Sequence, residues 1–408
     1  MSSSNIIAGL DIGSQTIKLL LAAKNKKKEE PNFRVLFCDA EPAFGVRRGV
    51  VVSIDEVSQA IRSLLAKARA EIGKKIHSVF VNISGSHIFC LSSRGMVAVS
   101  RADRYISKED VKRVLQEASQ AVSLPANNDI LEIATKDFII DGVAGIKSPV
   151  NLQGSRLETE VLILSHFAPY KDNLVQAVLA ADLQILDIIP SFLASATVML
   201  SSRQKELGVA LLEIGAGNSG LAVFKEGELI NYAVFPIGSA NITADIAVGL
   251  KVDIDTAEKI KIQWGRCFHK GKDKKEKIEI EGEGQLVFSQ KMLSRIIEAR
   301  LSEILAEAQK QLKQIAKNNL LPVGVVFAGG GAKLPGLVDL AKKELKLPCR
   351  LGRNLYFSEL ANELNYATAS GLVVRGCEAE EGENWFIGKA AGTGLGNRIK
   401  KLIKFFLP

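Results

Sequence analysis

Three short runs in this chain place glycine beside an acid or a lysine in a pattern suited to phosphate chemistry. Asp11-Ile12-Gly13-Ser14-Gln15-Thr16 ends an apolar run in a turn whose backbone N–H groups a phosphate can approach without side-chain obstruction. Asp11 is placed to hold Mg²⁺ through water, and Lys18 brings a point charge to the same phosphates. Glu213-Ile214-Gly215-Ala216-Gly217-Asn218 repeats the arrangement, with Glu213 as the acid. Gly329-Gly330-Gly331, followed by Lys333, is a glycine turn after an apolar strand, flat enough for an adenine ring. Glu258 and Lys261 lie three apart on one helical face, within reach of ribose or adenine. Glycine turns also occur for packing reasons, so each run alone is weak. The ordered set points to a nucleotide clamped between two halves.

The surrounding elements are built to present these turns. The run 6–12 reads as a buried strand returning through 17–23, which makes the first turn the tip of a hairpin. A strand at 209–214 returning at 221–225 does the same for the second. The echo is direct: AGLDIGSQTIKLLLA near the front, ALLEIGAGNSGLAVF in the second half. Two related lobes follow from it. Helices are expected at 53–72 and 292–317, where apolar residues recur at the 3.6 period, and also at 108–121, 171–181, after Pro190, and at 242–248, 254–263 and 366–377. The segment 85–165 changes character. Strand-like runs at 88–91, 96–99, 130–140 and 160–164 surround one helix and read as a small α+β unit inserted into the first lobe. The lysine-rich stretch 269–277 reads as a surface loop.

Composition removes several alternatives. The chain has 408 residues, 47% of them hydrophobic, enough for two or three domains. Five scattered cysteines without CxxC spacing argue against a disulfide framework, and four lone histidines offer no metal cluster. No signal peptide is legible at the start, and no apolar run reaches the ~20 residues of a membrane span. The net charge of +8 invites a nucleic-acid reading. No aromatic-plus-basic stripe or DNA-reading helix supports it, and no nucleic-acid partner is expected.

Much of that charge sits at the end. In 395–408, LGNRIKKLIKFFLP, the helical angle puts Leu395, Ile399, Leu402, Ile403, Phe406 and Leu407 within about 140° of arc. Arg398, Lys400, Lys401 and Lys404 fill the other face without an acid, and only Phe405 is out of place. Such a face suits anionic membrane lipid at about 1 kcal/mol per cation. An acidic, then glycine-rich linker at 378–394 precedes it.

These motifs resemble the actin/Hsp70/sugar-kinase nucleotide-binding superfamily and, within it, the FtsA family of bacterial cell-division proteins. GLDIGSQTIK (9–18) matches the phosphate-1 motif, LLEIGAGNSGLAVF (211–224) phosphate-2, VVFAGGGAKLPGL (325–337) the adenosine motif and NYATASGLVVRG (365–376) the connect-2 segment. The resemblance implies an α/β, two-lobed actin-like fold with duplicated cores, an inserted α+β subdomain in the first lobe and a C-terminal amphipathic helix. Its subdomains would be 1A at 1–84, 165–206 and 366–377, the FtsA-type insert 1C at 85–164, 2A at 207–241 and 322–365, and 2B at 242–321. It also implies ATP with Mg²⁺, self-polymerisation, and recruitment of FtsZ through its C-terminal peptide, with Arg300 on the 2B surface meeting the peptide's acids. Location at the cytoplasmic face of the membrane at the division site, and recruitment of later division proteins, belong to the same implication. Two departures matter. Glu213, Ala216, Asn218 and Gly220 replace the usual phosphate-2 residues, which removes the second acid at 220. Ile188-Ile189-Pro190 stands where MreB-like ATPases carry a glutamate before the proline, so hydrolysis is expected to be slow. A PilM-like pilus scaffold and a soluble sugar or metabolite kinase are the competing readings; the insert and the tail argue against the kinase.

Overall fold

The structure is a computed structural model that describes residues 6–25, 33–269, 271–280, 284–315, 321–360 and 362–380. The expected linker beyond 380 and the terminal run 395–408, with the residues expected to face lipid, lie outside them.

The first sheet grows from the opening hairpin. β1 (Ile6–Ile12) pairs antiparallel with β2 (Thr16–Lys24), and β3 (Phe33–Pro42) adds to β2. Leu19, Leu20 and Leu21 are all fully buried, because helices cover both faces and alternation is not required. A tight hairpin of β4 (Val46–Arg47) and β5 (Val50–Val51) leads to α1 (Ile54–Ile72). Ser53 caps α1 by accepting from Glu56 N–H, Asp55 and Glu56 sit in its first turn, and Gly73 ends it at φ 69°. β6 (Ser78–Ile83) lies parallel to β1.

The chain then enters the inserted unit. β7 (Phe89–Ala98), β8 (Asn128–Ile140), β9 (Val143–Ile146) and β10 (Arg156–Phe167) form an antiparallel sheet ordered β7-β10-β8-β9, covered by α2 (Lys108–Gln120). The two short strands expected at 88–91 and 96–99 are one strand. It continues through Gly95 because α2 presses on it there: a Cβ at Gly95 would lie 2.3 Å from the Val114 carbonyl oxygen. β9 has no apolar alternation in sequence and is legible only as the partner of β8.

α3 (Ala168–Ala180) returns to the first lobe, β11 (Gln184–Pro190) completes the sheet order β11-β6-β1-β2-β3, and α4 (Ser191–Met199) and α5 (Ser202–Leu207) cross to the second half. There β12 (Val209–Ile214), β13 (Ser219–Lys225) and β14 (Glu228–Phe235) repeat the opening meander. Asp11 opposes Lys18 in the first hairpin as Glu213 opposes Gly220 in the second. The same backbone bond closes both turns, Gly13 N–H to the Thr16 carbonyl at 3.1 Å and Gly215 N–H to that of Asn218 at 2.9 Å. The sequence echo is thus a structural repeat.

α6 (Ser239–Leu250), α7 (Ile254–Trp264), the hairpin of β15 (Lys275–Ile280) and β16 (Gly284–Ser289), and α8 (Gln290–Ile315) form one side of the second lobe. The stretch expected to be a loop at 269–277 therefore ends inside a strand. There Lys277 and Ile278 pair with Val287 and Leu286. β17 (Gly324–Ala328), α9 (Leu337–Leu345) and β18 (Cys349–Leu351) finish the second sheet, β14-β13-β12-β17-β18. α10 (Ala367–Glu380) crosses back under the first sheet and runs three residues past the expected end at 377. Glycine permits the crossing: a Cβ at Gly371 would lie 1.8 Å from the Ala194 carbonyl oxygen on α4.

Candidate nucleotide cleft

The two hairpin turns and the Gly329-Gly330-Gly331 segment meet at one cleft of about 530 Å³ between the lobes. Of the residues singled out for nucleotide or metal, Asp11, Gly13, Ser14, Gln15, Thr16, Lys18, Glu213, Gly215, Ala216, Asn218, Glu258, Lys261, Gly329, Gly330, Gly331 and Lys333 all line it. Gly217 does not. It packs where the two turns touch, and a Cβ there would lie 2.5 Å from Ser14 Oγ and 2.9 Å from the Arg48 Cα.

Asp11 is held from two sides. Its Oδ2 accepts from Lys18 Nζ at 2.8 Å and its Oδ1 from Asn82 Nδ2 at 2.9 Å. Asn82 in turn takes the Ile12 N–H at 2.7 Å and donates to Ser191 Oγ at 2.9 Å. Lys18, expected to face phosphate, is therefore anchored on the acid beside it.

Glu213 is the reverse case. Thr368 Oγ1 donates to its Oε1 at 3.2 Å, while Oε2 is buried without a hydrogen bond. Burial pushes its carboxyl up to about 7, and the Asp11 carboxylate adds to the rise against the pull of Lys18 and nearby hydroxyls. An orphaned buried carboxylate oxygen costs desolvation energy that a cation or donor would recover. This is the atom that fits Mg²⁺. Among the described residues no group of three His, Cys, Asp or Glu side chains could hold a metal, so such an ion would depend on water and phosphate for the rest of its shell.

On the second-lobe side, Lys261 Nζ pairs with Glu258 Oε2 at 2.7 Å and donates to Thr243 Oγ1 at 2.8 Å and the Ser239 carbonyl at 3.2 Å. Partial burial raises the Glu258 carboxyl, but Lys261 and Thr243 outweigh it and hold it below the usual carboxylate range. Gln15 Nε2 donates to Glu258 Oε1 at 3.4 Å, a contact directly across the cleft. Gly330 starts a 3₁₀ turn, Gly330–Lys333, so the third segment is a coiled turn rather than the flat loop expected. A Cβ at Gly330 would meet only Asn365 Oδ1, at 3.4 Å, which leaves this face open to a flat group. Lys333 Nζ donates to Asn362 Oδ1 at 2.7 Å.

The sequence reading missed Asn82, Ser84, Ser191, Phe192, Asn365 and Thr368, which also line the cleft. Asn82 and Thr368 had a signal, a polar residue inside an apolar run. Phe192 had none. Arg300 lies outside the cleft: its guanidinium holds Asp245 in a two-pronged pair, Nε to Oδ2 at 2.7 Å and Nη2 to Oδ1 at 3.0 Å, and also reaches Glu303.

Comparison with known proteins agrees with this architecture. The family model described as "Cell division protein FtsA" matches residues 210–371, and "SHS2 domain inserted in FTSA" matches 85–165. The chain is 33% identical over 386 residues to the cell division protein FtsA of Pseudomonas aeruginosa, covering 93% of this chain and 91% of that one. Among solved structures, the PilM-PilN type IV pilus biogenesis complex has a TM-score of 0.65 at 18% identity, over 92% of this chain and 99% of that one. MreB5 of Spiroplasma citri bound to ADP has a TM-score of 0.54 at 10% identity, over 93% and 98%. The fold is thus actin-like, and over nine-tenths of its length the sequence matches one family: the chain belongs to the FtsA family of cell division proteins.

Proposed function

We propose that the protein is an ATP-binding, membrane-tethered adaptor of cell division that polymerises on the membrane and recruits FtsZ through the FtsZ C-terminal peptide. The observation that carries the reading is the cleft itself, where two equivalent hairpin turns, each with a carboxylate, face a glycine turn. Family membership supplies the setting.

The N–H groups of the Gly13 and Gly215 turns bind the polyphosphate, in the way of backbone nests. Glu213 Oε2, with Asp11, would hold Mg²⁺, which when bound neutralises charge on the phosphates. Gly329 to Gly331 receive the base, and Glu258 with Lys261 orders the ribose side. The site binds well and hydrolyses slowly. Ile189 and Pro190 carry no carboxylate at the entry to α4, and the next residues facing the cleft are Ser191 and Phe192. A water without an orienting acid reacts slowly. The protein therefore acts by being loaded, and turnover near that of an efficient kinase would contradict this reading.

The terminal run 395–408 serves as the lipid anchor, placing the protein on the inner membrane face at the division site. Arg300 and its neighbours offer the FtsZ peptide a docking surface, and later division proteins follow. A pull-down with an FtsZ C-terminal peptide tests the reading; binding to a pilus-type peptide instead would favour a PilM-like scaffold.

A further inference from the structure

The described surface has a second concavity, of about 170 Å³, at the end of the first sheet remote from the cleft. Arg62 and Arg69 of α1 and Lys75 at the entry to β6 line it, with Leu65 and Ile76 as an apolar floor and Asp182 as its acid. Arg62 is steadied by one bond, Nη1 to the Ala180 carbonyl at 2.8 Å. Among the described residues none of these three cations has a carboxylate partner. Lys67 on the same helix pairs with both Asp39 and Glu41 at 2.8 Å. Three cations against one acid, Asp182, around one apolar-floored hollow make a site for a phosphate.

Topology says what the hollow faces. β1, β6 and β11 run parallel, so Ile6, Ser78 and Gln184 share one edge of the sheet, opposite the end carrying Asp11 and Asn82. α10 runs the other way. Thr368 touches Glu213 at the cleft, whereas a Cβ at Gly376 would press on Phe80 and Ile7. Glu380 thus leaves the sheet at the edge that bears the hollow, with 28 residues still to follow, including the basic, apolar terminal run.

We propose that the Arg62–Arg69–Lys75 hollow is a second membrane contact, taking the phosphate of an anionic lipid headgroup and turning this edge of the sheet to the bilayer. The proposal rests on the terminal run being a lipid anchor. An anchor on a long linker fixes distance but not orientation, and a second contact on the folded body fixes both through effective concentration. Charge attraction to anionic lipid acts within a Debye length, so the body has to be apposed for it to count.

The test is co-sedimentation of the full chain with phosphatidylglycerol–phosphatidylcholine vesicles and with phosphatidylcholine vesicles alone. The triple variant Arg62→Gln/Arg69→Gln/Lys75→Gln should bind the anionic vesicles roughly tenfold or more weakly, with binding to phosphatidylcholine unchanged. The charge-keeping variant Arg62→Lys/Arg69→Lys should bind as the parent does, which separates charge from a folding defect. Equal binding of parent and triple variant overturns the proposal, while release on deletion of 395–408 would still uphold the anchor. Persistent binding after that deletion, abolished by the triple variant, would reject the anchor and leave the hollow as the lipid site. Inorganic phosphate that raises the melting temperature of the parent only, without any vesicle difference, would identify a free-anion site and also overturn the proposal.

Discussion

The ring of Phe192 occupies the space above Gly220: a Cβ at position 220 would fall 1.7 Å from Cε2 of that ring. The second acid of the phosphate-2 motif is therefore not merely absent. Its place is filled by an aromatic side chain that is 2% exposed and packed on Tyr232 at 5.8 Å. Gly220→Asp alone should be strongly destabilising, because the aspartate has no room. Phe192→Ala alone leaves a cavity, typically worth about 3–5 kcal/mol. Together the changes should cost clearly less than their sum, since each relieves the other, and ATP turnover should rise above that of the parent. Thermal unfolding of the three variants, with single-turnover hydrolysis, checks both; additive losses would break the link between the two positions.

Glu213 should make the nucleotide-free protein sensitive to pH. Its folded carboxyl is raised from 4.5 to about 7, so the folded state holds the proton longer than the unfolded chain. The contribution of this group is full below about pH 4.5 and falls as pH climbs through about 7, by roughly 3 kcal/mol in all. Without nucleotide or divalent cation, Glu213→Gln should remove that slope and be more stable than the parent at pH 8. Denaturant unfolding at pH 5 and pH 8 reads it directly, and parallel pH dependence in the two proteins would reject the assignment.

Removing Lys18 should injure folding as well as binding. Lys18→Met leaves Asp11 Oδ2 buried without its 2.8 Å partner, at a cost of about 2–4 kcal/mol. Adding Asp11→Asn should recover most of the melting temperature but not nucleotide affinity, as seen by calorimetric titration. Recovery of both would place Lys18 outside the phosphate site.

Arg300 is already engaged by Asp245. If its guanidinium meets the acids of the FtsZ peptide, it has to share or leave that pair. Asp245→Asn should then tighten peptide binding a few-fold, and Arg300→Ala should weaken it, in fluorescence anisotropy at low salt. A loss of affinity in both variants would assign the pair to scaffold support.

The duplicated hairpins were legible because both turns carry acid, isoleucine, glycine and a small polar residue between apolar strands, a local pattern that fixes a local shape. Sixteen of the seventeen residues proposed for nucleotide and metal line the cleft for the same reason. What could not be read were relations across the chain. Lys18 turns to Asp11 because they are partners in the hairpin register. Gly217 faces Ser14 rather than the cleft because the lobes touch there. β9 and α5 are short elements stabilised by what they pack against, not by their own periodicity; α9 does carry a helical period, Leu337, Leu340, Ala341 and Leu345, but in only nine residues, and Phe192 is indistinguishable in sequence from a core phenylalanine.

Whether the chain is an adaptor that brings FtsZ to the membrane is read by mixing the full chain, ATP, FtsZ and anionic vesicles and sedimenting the vesicles. FtsZ should pellet with them when the chain is intact and remain in solution when 395–408 is deleted or the FtsZ C-terminal peptide is removed. FtsZ that stays in solution with the intact chain, or pellets equally without 395–408, would show that the chain is no such adaptor.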